Sequence, residues 1–263
     1  MTTEGAGAAR PGFRAALLRG EPLLGAFVVE FGSPRVPSVF GAAGWDFLVL
    51  DTEHAPFSFE TIQSLVDACR VAGLASIVRV GDHSPSLIGR ALDTGADGVM
   101  VPAVGSADEA RAVVRASKYA PDGNRGLVDL VRYRERTAEM YARLNRDSVV
   151  VVQIEGLAAA SRATEILAVP GVDVGFVGAL DLSQSAGTPG DFSSRAFEET
   201  IDRLVRGASG ARLGIYAPTI DSAVRFQSLG FTMIAHSTEA LLLYAACRDA
   251  RVTIAGGAGG AAC

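Results

Sequence analysis

The stretch Phe47-Leu48-Val49-Leu50-Asp51-Thr52-Glu53-His54 decides how the rest of the chain is read. Four consecutive apolar residues form a short buried strand, and the strand ends abruptly in two carboxylates and a histidine. The same event recurs along the chain. Ser76-Ile77-Val78 runs into Arg79, Val149 to Val152 run into Gln153-Ile154-Glu155, and Val174 to Gly178 are followed by Asp181. Polar groups placed repeatedly at one end of buried strands are how a barrel active site looks in sequence.

Working outward, apolar strands are expected at about 24–29, 47–51, 76–80, 98–102, 149–154, 174–178, 212–217 and 231–236. Helical patterns separate them, among others at 59–72, 85–94, 107–118, 195–208, 219–229 and 238–248. Helix 107–118 sets Ala110, Val113, Val114 and Ser117 on one face with charges opposite. Eight strands, each followed by a helix, argue for an α/β protein with a parallel (β/α)8 barrel. An open doubly wound sheet is the alternative. It would carry a phosphate loop after its first strand, and Glu30-Phe31-Gly32-Ser33 is not one. One barrel domain is expected over 13–254, between Gly/Ala-rich tails at 1–12 and 255–263. The irregular segment is 121–148, longer than a plain βα connection. It reads as a loop–helix insertion on the catalytic face, with an extra packing helix as the other reading.

The length of 263 residues suits one such barrel, and 49% hydrophobic with 20% charged residues suits a soluble globular enzyme. A net charge of −5 with no basic run argues against nucleic acid as a partner. No apolar stretch reaches the roughly 18 residues of a membrane span, and the N-terminus shows no signal-peptide pattern. Cys69, Cys247 and Cys263 have neither metal nor redox spacing. They are expected to be two buried small side chains and one tail thiol, in a reducing cytoplasm. Lys118 is the only lysine in the chain. It is expected late in a surface helix, which nearly excludes lysine-imine chemistry.

Glu155 and Asp181, 26 residues apart, end consecutive expected strands. Adjacent parallel strands lie about 4.8 Å apart, so the two carboxylates can meet on one hard cation such as Mg²⁺ or Mn²⁺. Rim salt bridges are the other reading. His54 is the natural general base, oriented by Asp51 or by a carboxylate from another loop such as Asp93. Arg79 is either a clamp for a carboxylate or developing enolate, or an ion-pair partner of Asp51 or Glu53. His83 and His236 are read as peripheral. Backbone N–H groups of Gly178-Ala179-Leu180-Asp181-Leu182-Ser183 are placed to meet an anion.

Together these stretches resemble the HpcH/HpaI family of class II, metal-dependent pyruvate aldolases. The resemblance rests on Ala43-Gly44-Trp45-Asp46-Phe47 leading into Asp51-Thr52-Glu53-His54, then Val78-Arg79-Val80, Leu92-Asp93-Thr94-Gly95-Ala96 and Val101-Pro102-Ala103-Val104. It continues through Ala120-Pro121-Asp122-Gly123-Asn124-Arg125-Gly126, Gln153-Ile154-Glu155 and Gly178 to Ser183, and covers about 20–255. It implies a barrel of the phosphoenolpyruvate/pyruvate-binding type, and a homo-hexamer, a trimer of dimers, built from swapped C-terminal helices. Glu155 and Asp181 would hold Mg²⁺, Mn²⁺ or Co²⁺, which pyruvate would chelate. Arg79 would stabilise the enolate. His54, oriented by Asp51 and by Asp93 across a subunit contact, would act as acid and base with a metal-bound water, and Gln153 would support the metal shell. The implied reaction joins pyruvate and an aldehyde into a 4-hydroxy-2-oxo acid, or reverses that. Another metal-enolate enzyme, with an oxalacetate-type or CoA-ester donor, and a barrel that binds a keto-acid without turnover are the competing readings. The chain departs from the family pattern at Ala179, where proline is usual, and after Arg125-Gly126, where Leu127-Val128 lacks the second glycine.

Overall fold

The computed structural model describes residues 12–127, 137–208 and 210–257. In chain order the elements are α1 (Phe13–Arg19), β1 (Leu23–Val28), α2 (Arg35–Ala42), β2 (Phe47–Asp51), α3 (Phe59–Ala72), β3 (Ala75–Arg79), α4 (Pro85–Asp93), β4 (Gly98–Val101), α5 (Ala107–Ser117), α6 (Ala138–Asp147), β5 (Val149–Ile154), α7 (Leu157–Ser161), α8 (Ala163–Leu167), β6 (Val174–Val177), α9 (Ala179–Ser185), α10 (Arg195–Gly207), β7 (Leu213–Ala217), α11 (Ile220–Ser228), β8 (Met233–Thr238) and α12 (Glu239–Gly257). The eight strands pair in sequence order, all parallel, and β8 closes on β1. The expected strands differ from these by at most two residues at either end.

Alternation along each strand divides the apolar residues into two cores. One set fills the barrel, with Phe47 and Val49 of β2, Ala75 and Ile77 of β3, Val149 and Val151 of β5, and Phe176 of β6. The other set, including Leu48, Leu50, Val78, Val150 and Val152, packs under the helices against Ile62, Leu65, Ile88, Val113 and Ile201. Each such side chain contributes about 1.5–3 kcal/mol when fully buried. Strands buried on both faces read as unbroken apolar runs, which is why they were legible.

The amino end of the barrel is closed. Phe13 of α1 packs on Phe47 with ring centroids 5.9 Å apart. Arg14 pairs with Asp173 at 2.6 Å, and Arg212 donates to the carbonyls of Leu17 and Leu18. A repeated device knits the strand starts. Asp46, Asp97 and Asp173 each stand one residue before β2, β4 and β6, and each accepts an N–H from the second residue of the preceding strand. The bonds are Leu24 N at 3.0 Å, Ser76 N at 2.9 Å and Val150 N at 2.9 Å. With that end sealed, the carboxyl end is left for chemistry.

Three expectations are corrected here. The described parts of 121–148 lie at the amino end, not on the catalytic face. α5 has already crossed the barrel by Ser117, Arg125 reaches Asp93 at the end of α4, and α6 leads directly into the start of β5. Residues 128–136 of that segment lie outside the described residues. Lys118 is buried rather than on the surface. Its ammonium donates to the carbonyls of Asn145 and Ser148 at 2.6 and 2.7 Å and to Ser148 Oγ at 2.9 Å, and burial pushes it down to about 8. It anchors the insertion to the strand start because its side chain is the one donor long enough to meet three acceptors there. Cys69 is buried and its thiol is pushed up to about 12, but Cys247 is exposed on α12, which runs on to Gly257.

Asp97→Ala leaves the Ser76 N–H and hydroxyl without their acceptor. A loss of about 1–3 kcal/mol in unfolding free energy is expected, read by urea denaturation, with the carboxyl-end cavity retained.

Candidate active site

The alternation that fills the barrel also builds the site. The inward positions after Val49, Ile77 and Val151 are Asp51, Arg79 and Gln153, at the carboxyl ends of β2, β3 and β5. Asp51 and Arg79 are register partners across β2 and β3. Arg79 donates from Nε to Asp51 Oδ1 and from Nη2 to Asp51 Oδ2, both at 2.8 Å, a bidentate pair with Asp51 fully buried. Its Nη1 lies 3.2 Å from Glu53 Oε2, and its guanidinium stands over the Phe27 ring at 4.9 Å. Burial works against the charge on Arg79, but the Asp51 hydrogen bonds and the nearby carboxylates outweigh it and raise its pKa further. Asp51 also accepts the backbone N–H groups of Glu53 at 3.0 Å and His54 at 3.3 Å. One carboxylate therefore holds both the cation and the turn that follows the strand.

Across the barrel mouth, Glu155 Oε1 accepts the N–H of Ala103 at 2.8 Å, and its Oε2 accepts from Gln153 Nε2. Ala103 adopts a left-handed backbone (φ 53°), which is uncommon without glycine and here accompanies the N–H aimed at Glu155. Gly178 admits this packing. A Cβ there would fall 2.7 Å from Glu155 Oε2 and 2.9 Å from Gln153 Nε2. Asp181 follows in the first turn of α9. Burial, then Asp181 and Glu53, push the Glu155 carboxyl above its usual range. Burial also raises Glu53, against the attraction of Arg79 and His54.

The charge of Asp181 raises both Glu53 and Glu155, and Glu53 raises Glu155 as well. Among the described residues no group of three or more His, Cys, Asp or Glu converges on one point. Glu155 and Asp181 are the pair that could hold a cation, two hard oxygen ligands that would leave positions for water or substrate, which suits Mg²⁺-like ions. Gln153 Oε1 is buried with no hydrogen-bond partner, as a group beside a hydrated cation would be, whereas Glu53 Oε2 faces Arg79 Nη1.

Arg79, Gln153, Gly178, Ala179, Leu180 and Asp181 line one cavity of about 340 Å³, with His54 at its edge. Phe27, Phe176, Tyr216 and Thr238 complete it. The His54 side chain is 68% exposed, and its Nε2 is 3.8 Å from Glu53 Oε2. Asp51 reaches His54 through the backbone, because both of its oxygens are occupied by Arg79, so Glu53 is the acid beside the ring. Asp93 is not brought to this cavity within the chain. It ends α4 at the opposite end of the barrel and pairs with Arg125 at 2.6 Å. His83 bonds the Pro102 carbonyl at 2.7 Å, and His236 bonds the Ala217 carbonyl at 2.9 Å and stacks on Trp45, outside the cavity. The reading from sequence passed over Glu53 as a site member, Ala103, Phe27 and Tyr216. Glu53 was detectable, since it continues the inward series 47, 49, 51; the left-handed turn at Ala103 has no sequence signal.

A closed parallel barrel with a fixed guanidinium and carboxylates gathered at its carboxyl end has the form of a barrel enzyme. The family model for HpcH/HpaI aldolase/citrate lyase matches residues 27–246, and the chain belongs to that family. A hydroxypyruvate/pyruvate aldolase from Roseovarius nubinhibens is 36% identical over 248 residues, 92% of this chain and 95% of that protein. A 2-dehydro-3,6-dideoxy-6-sulfogluconate aldolase from Pseudomonas putida is 35% identical over 228 residues, 85% and 89% of the two chains. The crystal structure of an HpcH/HpaI aldolase from Desulfitobacterium hafniense superposes with a TM-score of 0.87 at 28% identity, covering 92% of this chain and 96% of that one.

Asp51→Ala removes the acceptor of a buried guanidinium and of two turn N–H groups. A loss of about 3–5 kcal/mol is expected, seen as a clear fall in Tm by calorimetry.

Proposed function

We propose that the chain is a metal-dependent pyruvate aldolase, a carbon–carbon lyase that cleaves a 4-hydroxy-2-oxo acid to pyruvate and an aldehyde or forms it from them. The observation that carries this reading is the Arg79 guanidinium, locked by Asp51, sharing one cavity with Asp181, with the Glu155 carboxylate close enough to feel both charges. Glu155 and Asp181 would hold the cation, Mg²⁺, Mn²⁺ or Co²⁺, and when bound it would supply Lewis-acid polarisation of the keto-acid. Arg79 directs its fixed charge at the keto oxygen, where negative charge develops as the methyl group loses a proton. His54, exposed beside Glu53, moves that proton. Gln153 keeps Glu155 in place, and the backbone of Gly178, Ala179 and Leu180 offers N–H groups to the substrate carboxylate. In condensation the deprotonated methyl carbon bonds to the aldehyde carbon, and the former carbonyl oxygen takes up a proton; cleavage runs the same steps backwards. A CoA-ester donor is less well served, because Lys118, one of the few basic groups considered for its phosphates, is buried at the far end of the barrel.

The homo-hexamer with swapped C-terminal helices is the assembly this reading favours. From Ala246 to Gly256 every described residue of α12 is exposed, and Leu241, Leu243, Tyr244, Val252 and Ile254 are 51–74% exposed. On the barrel wall Leu24, Ile220, Val224 and Ile234 line an open apolar cavity of about 290 Å³, a seat for such a helix. In that assembly Asp93 would reach the cavity of a neighbour. No helix among the described residues is long and apolar enough to cross a membrane, and the cytoplasm is the compartment proposed.

Deuterium exchange from solvent into the pyruvate methyl group, followed by NMR, is expected only with Mg²⁺, Mn²⁺ or Co²⁺ present, and to vanish in Asp181→Ala. Exchange at full rate in that variant with metal chelated would sink the mechanism. Tyr244→Asp is expected to lower the mass by light scattering from a hexamer to smaller species; a monomeric wild type would refute the assembly.

A further inference from the structure

The cavity has two unlike halves. Arg79, Gln153 and Asp181 occupy the arc of β3, β5 and α9. Phe27, Tyr216 and Thr238 occupy the arc of β1, β7 and β8. The Phe27 ring meets Phe176 at 6.1 Å and Tyr216 at 6.0 Å, both edge-on at 70°, so the second arc is a rigid aromatic wall.

The wall carries hydroxyls at one place. Tyr216 is the inward residue of β7 after Gly214, and Ser237 is its hydrogen-bonding neighbour. Burial holds the phenol above its usual range, so it remains an O–H donor. The backbone beneath Ser237 is unusual. Between Gly25 and Phe27 the β1 strand advances two residues (27 − 25), while β8 advances three, from Ala235 to Thr238 (238 − 235). Ser237 takes a left-handed φ of 60° in that bulge, a conformation uncommon in a non-glycine residue. Bulges of this kind re-aim side chains beside active sites. Two residues on, the Glu239 carboxylate accepts the N–H groups of Val29, Glu30 and Phe31, at 3.0, 2.6 and 2.7 Å for the shortest of each, and fixes the bulge against β1. Among the described residues this arc has no basic side chain, and Arg79 is committed to Asp51. A carboxylate or sulfonate on the acceptor would find no partner there, whereas a hydroxyl would.

The structure assigns the β1–β7–β8 arc to the acceptor aldehyde, with Tyr216, braced by Ser237, hydrogen-bonding a hydroxyl of that aldehyde, so that the favoured acceptor is a short, uncharged α-hydroxyaldehyde. This rests on the aldolase reading above. Sites that pair a substrate hydroxyl reject the analogue without it, because their own polar groups are left unpaired.

The test compares glycolaldehyde with propanal, which has a methyl group in place of the hydroxyl, as acceptors for pyruvate with Mg²⁺ or Mn²⁺ added. Wild type is expected to favour glycolaldehyde by about 10-fold or more in kcat/KM. Tyr216→Phe and Ser237→Ala should each bring that ratio towards one, mainly through KM for glycolaldehyde. A wild type without the preference, variants that keep it, or a wild type that works better with glyoxylate would overturn the assignment. So would a variant whose rates with both aldehydes fall together with its pyruvate exchange, which would place Tyr216 on the donor. If Tyr216→Phe does not fold, Ser237→Ala decides. Absence of pyruvate exchange in wild type with any metal would remove the aldolase reading and this assignment with it; exchange with an unmoved ratio removes the assignment alone.

Discussion

The bidentate pair between Asp51 and Arg79 is the constraint around which the site is arranged. A guanidinium placed inside a barrel is costly unless its charge and its donors are met. Asp51 meets two of those donors, and Glu53 and the Phe27 face surround the remainder. The pair cannot be moved to another rung. It requires two inward positions at the same height on neighbouring strands, and the β2–β3 register supplies them. Asp51 then has further lone pairs, and these turn the chain so that Glu53 and His54 leave the strand at the cavity mouth. Charge placement, loop geometry and the position of His54 thus follow from one carboxylate.

The two ends of the barrel use the same residue type differently. At the amino end Asp46, Asp97 and Asp173 spend their oxygens on strand N–H groups, and Asp173 also on Arg14. Their neighbours satisfy them, and they stabilise. At the carboxyl end the charge of Asp181 raises Glu53 and Glu155, and the Gln153 amide oxygen is buried without a hydrogen-bond partner. An acidic group left short of positive charge is unfavourable in isolation and useful where a cation and an anionic substrate must enter. The closed end holds the frame against that local cost.

The strands and the positions of Asp51, Arg79, Gln153, Glu155 and Asp181 were legible because one rule, alternation with period two, governs both packing and site. Runs such as Phe47–Leu50 announce a strand buried on both faces, and the first polar residue after the run marks its carboxyl end. What was not legible depends on tertiary geometry. The insertion at 121–148 was placed on the wrong face, since length alone does not say which end of the barrel a connection serves. Lys118 looked like a helix-end surface lysine, and only the later chain at Asn145 and Ser148 explains its burial. His54 was given to Asp51, but the competition for Asp51's oxygens is decided by the closeness of Arg79 across the sheet. Ser237 carries no sequence mark of its left-handed backbone, because that arises from the mismatch in advance between β1 and β8.

Glu239 ties the outer wall of the cavity to the end of the chain. It is the first residue of α12, it is buried, and its carboxylate gathers three consecutive N–H groups of the turn after β1. Those groups would otherwise be unsatisfied at a strand end, so the turn keeps its shape only while α12 starts where it does. Leu241, two residues further on, lines the cavity directly. Past that point the helix leaves its own barrel with its apolar residues uncovered. A force that seats α12 elsewhere therefore acts through Glu239 on Val29 to Phe31, and through Leu241 on the cavity wall. The Asp51–Arg79 pair stands apart from that path, held by the β2–β3 register rather than by α12.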